Sequence, residues 1–493
     1  MSTFHATVNR REFMKGLGLA GAGLGMAATS LATDSAFHDL DEALASPTAV
    51  LRKPWWVKLV DEPTVPIDWS MIKPGRTRLM PVTTPAQDNL EPYLAYFQKQ
   101  FPDWKPSGHW SDLPGTHTAQ LLTDMRWDAI THCHPQSSFL TAPMTAALTA
   151  AGQYTSAVGK PSGWGSVFQP SWKERGYSSR WEGTPEENLR TMTVLGRMAG
   201  AEGIGAIEID DNFKRLMWGR SAVAPAGTAY EWGDVDNFVF EPSERAPKRV
   251  VIPNKCKWFL HWTQKHPYFQ GNQYCANAGY EGIVQEHAYN RLTLFSIQES
   301  MISLGYLSLQ WASGIMPSGP TGVLAGTGEQ CRQGTPMQPL MGLQSRVMWG
   351  FFTDMPLAPT KPIDFGGYKF CHTCAICAEE CTFQSIPYDD PTWAAPESYQ
   401  YADRYNPGYL AWRNDTTKCH HCPVCMTVCP FTRNGSTEAV IHNVVRATAG
   451  TTSVFNSFFA SMNRSFGSNK FKHPDTIWDA DIYPWGLDTG QDM

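Results

Sequence analysis

Cys371-His-Thr-Cys374-Ala-Ile-Cys377-Ala-Glu-Glu-Cys381 and Cys419-His-His-Cys422-Pro-Val-Cys425-Met-Thr-Val-Cys429-Pro430 share one spacing, C-x2-C-x2-C-x3-C. Three cysteines at this spacing wrap a loop around one face of an iron–sulfur cubane, each thiolate reaching a different iron. The fourth is expected to start a helix that crosses to a second cluster. One [4Fe–4S] cluster then takes Cys371, Cys374, Cys377 and Cys429, and the other takes Cys419, Cys422, Cys425 and Cys381. Thr382 stands where the second motif has its trailing proline, which alters no ligand. Zinc is the competing reading of C-x-x-C pairs, but zinc sites use four ligands as two pairs, not two runs of four.

The other four cysteines, Cys133, Cys256, Cys275 and Cys331, are scattered and read as small buried hydrophobes. His372, His420 and His421 flank the motifs and read as structural. The 493 residues, 42% hydrophobic and 17% charged, leave room for roughly two to four domains. A net charge of −6 gives no footprint for nucleic acid, which would show as clustered Lys and Arg. Nineteen Trp fit either a large aromatic core or a flat apolar ligand pocket.

The chain opens with Asn9-Arg10-Arg11-Glu12-Phe13-Met14-Lys15, followed by a Gly- and Ala-rich apolar run from Gly16 to Ala32. That order makes residues 1–45 an export signal of the twin-arginine type, cut after Ala32 or after Ala45. The run is too short and glycine-rich for a span of about 20 apolar residues, and no later stretch supplies one. The leader and the cysteines support each other. Eight thiols sent unfolded into an oxidising compartment would scramble into disulfides, whereas folded export lets clusters be installed first.

Along the body, residues 46–180 read as irregular chain with occasional helices, such as Leu90–Lys99. Thr184, Pro185, Glu186 and Glu187 open a helix whose apolar face is Leu189, Met192, Leu195 and Met198, ended by Gly200. Ile204–Ile209 reads as the following strand, an α/β or α+β signal. A further strand lies near Phe238, a helix spans about Glu286–Leu304, and Tyr306–Trp311 reads as a strand. The six glycines and two prolines of 314–334 read as a loop that a large ligand could approach. The C-terminal part contains a helix near Glu438–Thr448, then aromatic-rich extended chain through Phe455, Phe458, Phe459, Trp478 and Trp485.

Roughly 320 residues separate the leader from the first cluster motif, far more than an electron carrier requires. No C-x-x-C-H for haem is present, no G-x-G-x-x-G follows a predicted strand, and Asp-x-His-x-x-Gly, the mark of histidine-ligated corrinoid, is missing.

Several strings in order around the double cysteine motif carry a resemblance. They are Phe37-His38-Asp39-Leu40-Asp41-Glu42 behind the twin arginines, Glu182-Gly183-Thr184-Pro185-Glu186-Glu187-Asn188, Leu304-Gly305-Tyr306 and Gly328-Glu329-Gln330-x-Arg332. Thr353-Asp354-Met355-Pro356-Leu357 and Val454-Phe455-Asn456-Ser457-Phe458-Phe459 complete the set. The chain resembles, over nearly its whole length, the reductive dehalogenases of organohalide-respiring bacteria. The resemblance implies an α+β fold: a nitroreductase-like core over 46–365 that binds corrinoid and substrate, then a bacterial ferredoxin-like domain for two [4Fe–4S] clusters over 366–435. Residues 436–493 would wrap the body.

It further implies a cobalamin-type corrinoid with no protein histidine under the cobalt, reduced to Co(I) through the clusters, and cleavage of a carbon–halogen bond in a small organohalide, a chlorinated alkene or arene. The enzyme would sit peripherally on the outer face of the cytoplasmic membrane. The twin-arginine translocase would deliver it there, a separate membrane anchor would hold it, and an upstream respiratory donor would feed it. The family's proposed proton donor is a tyrosine beside an Arg or Lys that stabilises negative charge. The arginine falls on Arg346. The donor is Tyr289 by residue type or His287 by ungapped count, a histidine whose ordinary pKa suits proton delivery. Two other readings remain: an epoxyqueuosine-reductase-like enzyme with similar cofactors, against which the leader counts, and a non-catalytic two-cluster electron-transfer subunit, against which the large domain counts.

Overall fold

The computed structural model describes residues 53–75, 91–103, 176–220, 229–241, 249–266, 293–294, 296–310, 315–419, 424–432, 439–466 and positions 473, 476 and 479. Along the chain come β1 (Lys58–Leu59), α1 (Glu91–Gln100), α2 (Pro185–Met198), β2 (Gly203–Glu208) and α3 (Asp211–Leu216). Then follow β3 (Ala229–Gly233), β4 (Val239–Glu241), β5 (Arg249–Pro253), β6 (Trp258–Lys265) and β7 (Leu309–Gln310). The third stretch holds α4 (Ser318–Leu324), β8 (Glu329–Gln330), β9 (Pro336–Met337), β10 (Ser345–Thr353) and β11 (Ile363–Asp364). The cysteine region and the C-terminal part form α5 (Gly367–Cys374), α6 (Ile376–Glu379), α7 (Val424–Thr427), α8 (Ala439–Thr451) and α9 (Asn456–Phe466). The architecture is mixed α/β.

Its centre is an antiparallel sheet in the order β2-β6-β10-β7. Alternate residues of each strand feed different cores. Ile204, Ala206, Leu260, Trp262 and Phe351 pack with Met192 of α2 and with Leu294, Ile297 and Met301 of the helix that ends at residue 304. Ile207, Phe259, Phe352 and Leu309 pack on the other side with Phe213 of α3 and Val250 and Ile252 of β5. Trp262 stacks on Phe351 at 5.0 Å, and Phe259 meets Phe352 edge-on at 5.1 Å. Cover on both faces buries Phe259, Leu260, Trp262, Phe351 and Phe352 alike, and each buried large side chain contributes roughly 1.5–3 kcal/mol.

A third core joins the cysteine region to both ends of the described chain. Trp56 and Val57 pack there with Phe365, Phe370, Ile376, Val424, Phe431, Val445 and Phe459. β1 pairs with β11 just before α5, so the segment after residue 53 is strapped across the base of the cysteine region. Gly366, at φ 76°, is where α8 comes closest: a Cβ there would lie 2.0 Å from the Ala449 carbonyl oxygen.

Several expectations are corrected. Thr184 and Glu187 form a reciprocal capping box on α2, as the sequence suggests. Met192 is buried and Leu189 and Leu195 pack on the same core, but Met198, the last residue of α2, is 81% exposed. Gly196 lets α2 lie close to the strand, since a Cβ there would meet the Ile204 side chain. The glycine-rich 314–334 stretch is not all loop, since it folds into α4 and β8, with Pro320 tolerated in the first turn. Of the expected 306–311 strand, Leu309–Gln310 forms among the described residues, and Trp311 lies outside them. Residues 456–466 are not extended: α9 carries Phe459 and Met462, which with Phe455 just before it recur at helical spacing and pack against the cysteine core, while Trp478 and Trp485 lie outside the described residues. The fourth cysteines do not start helices; Cys381 and Cys429 follow the one-turn helices α6 and α7.

Candidate metal centre

α5 carries Cys371 and Cys374. The chain then reverses at Ala375, held in the left-handed region at φ 56°, so that α6 presents Cys377 to the same side. Left-handed backbone outside glycine is disfavoured by roughly 1 kcal/mol, and here it buys the loop that converges three thiols. Cys429 arrives from the second motif. Together Cys371, Cys374, Cys377 and Cys429 line one recess, partly open to solvent, with Met337, Leu343, Phe370 and Phe431. Among the described residues, no three ligating side chains converge tightly enough for a single metal ion. The thiols instead ring a space.

Burial raises the Cys374 thiol to about 12 and Cys429 to about 11, and holds Cys371 and Cys377 well above the ordinary range. Loading a metal must therefore expel protons from this recess. Three arginines offset the anionic charge that results. Arg332 donates to the Cys371 carbonyl at 3.0 Å and to the carbonyls of Pro387, Tyr388 and Asp389, with its guanidinium over the Trp412 ring. Arg464 of α9 donates to the Cys374 carbonyl and to Glu379. Arg446 of α8 donates twice to the Phe431 carbonyl, at 2.8 and 2.6 Å, and once to Asn443. His442 contacts the Pro430 carbonyl at 2.6 Å, and burial lowers its pKa to about 4, so it stays neutral.

Three of the strings that carry the resemblance, 182–188, 304–306 and 353–357, meet in space. Asn188 donates to the carbonyls of Gly183 and Pro356, Tyr306 donates to the Trp181 carbonyl, and Asp354 accepts from the Leu307 amide at 2.7 Å. Glu329 accepts from the amides of Phe365 and Gly367 at 2.9 and 2.8 Å and from the Thr64 hydroxyl at 2.6 Å. It thereby holds the N-terminus of the helix bearing Cys371 and Cys374. Burial raises its carboxyl to about 7.

Of the second ligand set, Cys381 is buried beside Cys425 and accepts from the Ser385 amide at 3.3 Å, while Cys419 is half-buried. Cys422, Tyr289 and His287 lie outside the described residues, as do the leader, Cys133 and Cys275. Arg346 lies in β10 opposite Gln264, just before an irregularity that ends at Trp349. Cys256 is buried in the sheet core, as expected of a small hydrophobe. Cys331 is not remote: it lines the thiol recess as a fifth sulfur, its S–H donating to the Thr335 carbonyl at 2.8 Å. No spacing rule could have placed it there.

Polar groups without partners sit next to the recess. Met337 and Leu343 line it, and the residues following each, Gln338 and Gln344, are buried at 4% and 0% exposure. Neither amide atom of Gln344 has a hydrogen-bond partner, nor do Gln338 Nε2 and Ser345 Oγ.

Thiols ring one recess on a mixed α/β scaffold. No family model matches the chain. It is 31% identical to a trichloroethene reductive dehalogenase of Dehalococcoides mccartyi strain 195 over 94% of both chains. It is 28% identical to a chloroethene reductive dehalogenase of Dehalococcoides mccartyi strain VS over 99% of this chain and 100% of the relative. A solved reductive dehalogenase, described as informing B12-dependent dehalogenation, shares the fold at 16% identity with a TM-score of 0.52 over 88% of this chain. The chain spans about half the length of that protein, 52%. A catabolic reductive dehalogenase solved with 3-bromo-4-hydroxybenzoic acid gives a TM-score of 0.51 at 17% identity, covering 87% of this chain and 51% of that one. The chain belongs to the reductive dehalogenases, oxidoreductases that act on carbon–halogen bonds.

Proposed function

We propose that the chain is a corrinoid-dependent reductive dehalogenase that replaces halogen by hydrogen on a small organohalide as the terminal step of an anaerobic respiration. The carrying observation is the recess of Cys371, Cys374, Cys377 and Cys429, in a chain similar end to end to chloroethene and trichloroethene reductive dehalogenases. In this reading the recess holds one [4Fe–4S] cluster, and Cys419, Cys422, Cys425 and Cys381 hold the other. Four thiols lining one recess suit a cubane, whose four irons each take one thiolate. The arginines around the recess favour the more negative, reduced cluster.

The unpartnered amides beside the recess fit a cofactor rich in amide groups, and the missing Asp-x-His-x-x-Gly fits a corrinoid without a histidine ligand. Held beside the unpartnered side chains of Gln338 and Gln344, a corrinoid would supply the low-potential reductant that carbon–halogen cleavage needs. The reaction takes two electrons and one proton, breaks the carbon–halogen bond, forms a carbon–hydrogen bond and releases halide. Tyr289 or His287 delivers the proton, and Arg346 favours the tyrosine's anion and stabilises charge developing on the substrate. Separate Tyr289→Phe and His287→Ala variants assign the donor. The true donor's loss lowers turnover by about 10²–10⁴-fold with corrinoid still bound; full turnover in both variants removes both residues from the site.

The finer architecture proposed is a nitroreductase-like core over 46–365 with a ferredoxin-like domain over 366–435. Residues 1–45 act as a twin-arginine leader, placing the enzyme on the outer face of the cytoplasmic membrane. A separate membrane anchor and a respiratory donor complete the chain of electron flow. Among the described residues no helix is long and apolar enough to cross a membrane. Halide release from a panel of chlorinated ethenes, chlorinated arenes and brominated phenols, driven by a reduced viologen, tests the activity. Release that requires corrinoid supports the proposal, and none from any compound by cobalt- and iron-loaded enzyme overturns it.

A further inference from the structure

The tight turn from Met337 to Ser345 has two sides. Gln338 and Gly342 exchange both backbone hydrogen bonds, at 2.8 and 3.0 Å. Gly342, at φ 60°, sits so close to the second cysteine motif that a Cβ would lie 2.3 Å from the Phe431 carbonyl oxygen. Leu343 is tied there too, its amide donating to Thr432 Oγ1. Met337 and Leu343 thus wall the thiol recess, while the chain runs on through Gln344 and Ser345 into β10 and Arg346. The Gln344 carbonyl accepts from His266 at the end of β6, which fixes the turn to the central sheet.

Three polar side chains on this turn are buried and unspent. Gln344 is fully buried, with neither Nε2 nor Oε1 bonded; Gln338 Nε2 and Ser345 Oγ are likewise unpartnered. A buried polar group left unsatisfied costs about 1–3 kcal/mol, so a folded chain keeps three on one turn only where something else satisfies them. Their chemistry is one carboxamide with a free donor and acceptor, a second with a free donor, and a hydroxyl. A corrin rim carries several carboxamide side chains, which pair with such groups donor to acceptor.

We propose that Gln338, Gln344 and Ser345 form a subsite that hydrogen-bonds the peripheral amides of the corrin, setting its edge one turn of chain away from the Cys371–Cys429 recess. This rests on the corrinoid reading above. The turn is then a shared wall, with apolar side chains facing the cluster and polar ones bonding the cofactor that receives its electrons.

The test titrates iron-loaded, corrinoid-free full-length protein with hydroxocobalamin, read by tryptophan fluorescence and absorbance, together with iron content and thermal midpoint. Gln344→Ala and Ser345→Ala are expected to weaken cobalamin binding, Gln344→Ala by about tenfold, with iron per chain unchanged. Gln344→Met keeps the volume and removes the unmet amide. It is expected to raise the thermal midpoint of the corrinoid-free protein while weakening cobalamin binding, a combination that a purely structural glutamine would not give. Parental affinity in Gln344→Ala and Gln344→Met overturns the subsite. Failure of the parent protein to bind any cobalamin overturns the corrinoid reading itself, and the subsite with it.

Discussion

The two cysteine motifs have the same spacing and different surroundings. The first is a helix, a left-handed reversal at Ala375 and a second helical turn, with Arg332 on one side and Arg464 on the other. The second is followed by Pro430 and Phe431, whose carbonyls are taken by His442 and Arg446 of α8. Its last cysteine does not stay with its own run but lines the first recess. Equal spacing therefore does not mean independent halves. The first recess depends on the C-terminal helices both directly, through Arg464, and indirectly, through the clamp that positions Cys429.

The strongest way to break this asymmetry is Cys429→Ala. If the fourth thiol crosses, the variant loses up to four of eight irons, and the spectrum that disappears is that of the cluster held by Cys371, Cys374 and Cys377. Loss of the other cluster, checked by adding Cys371→Ala to see whether the damage is additive, would show that the motifs do not cross. Next is Arg446→Met. It strips three donors from the Phe431 carbonyl and Asn443, both buried, and should lower stability by about 2–4 kcal/mol in denaturant unfolding. The cluster of the first recess should become labile before the other does.

Glu329 sharpens the comparison from the other end, because it holds the start of α5. Its carboxyl is raised to about 7 from an ordinary 4.5, so between those values the folded protein binds more protons than the unfolded chain. Stability should thus fall as pH rises through 4.5 to 7. Glu329→Gln can keep all three bonds, with Oε1 taking the two amides and Nε2 donating to Thr64. It should flatten that slope by up to about 3 kcal/mol in unfolding free energy measured across the window. The smallest effect expected is on iron content in Cys331→Ala. If Cys331 is a bystander thiol and not a ligand, all eight irons remain; a fall to four would make it a ligand and displace Cys429 from the set.

What the sequence revealed depended on how local the constraint is. Cysteine spacing is written in two short runs of four, so Cys371, Cys374, Cys377 and Cys429, which the structure gathers in one recess, could be named from the sequence. The cap of α2 is equally local. By contrast, Cys331 enters the recess only because β8 packs on α5, and nothing near it in the chain signals that. Gln338 and Gln344 look like ordinary turn residues, and their burial is a tertiary fact. Met198 continues the apolar period of Leu189, Met192 and Leu195, but it is the last residue of its helix and is exposed there, a boundary effect that periodicity does not mark. The aromatic C-terminal stretch shows the opposite error: Phe455, Phe459 and Met462 carry a helical period that residue type alone conceals.

If both clusters serve a corrinoid within this same chain, the metal content of the purified full-length protein will show it. Eight irons and one cobalt per polypeptide are expected, with halide release proportional to cobalt occupancy. Eight irons without cobalt, in protein that still releases halide, would contradict it.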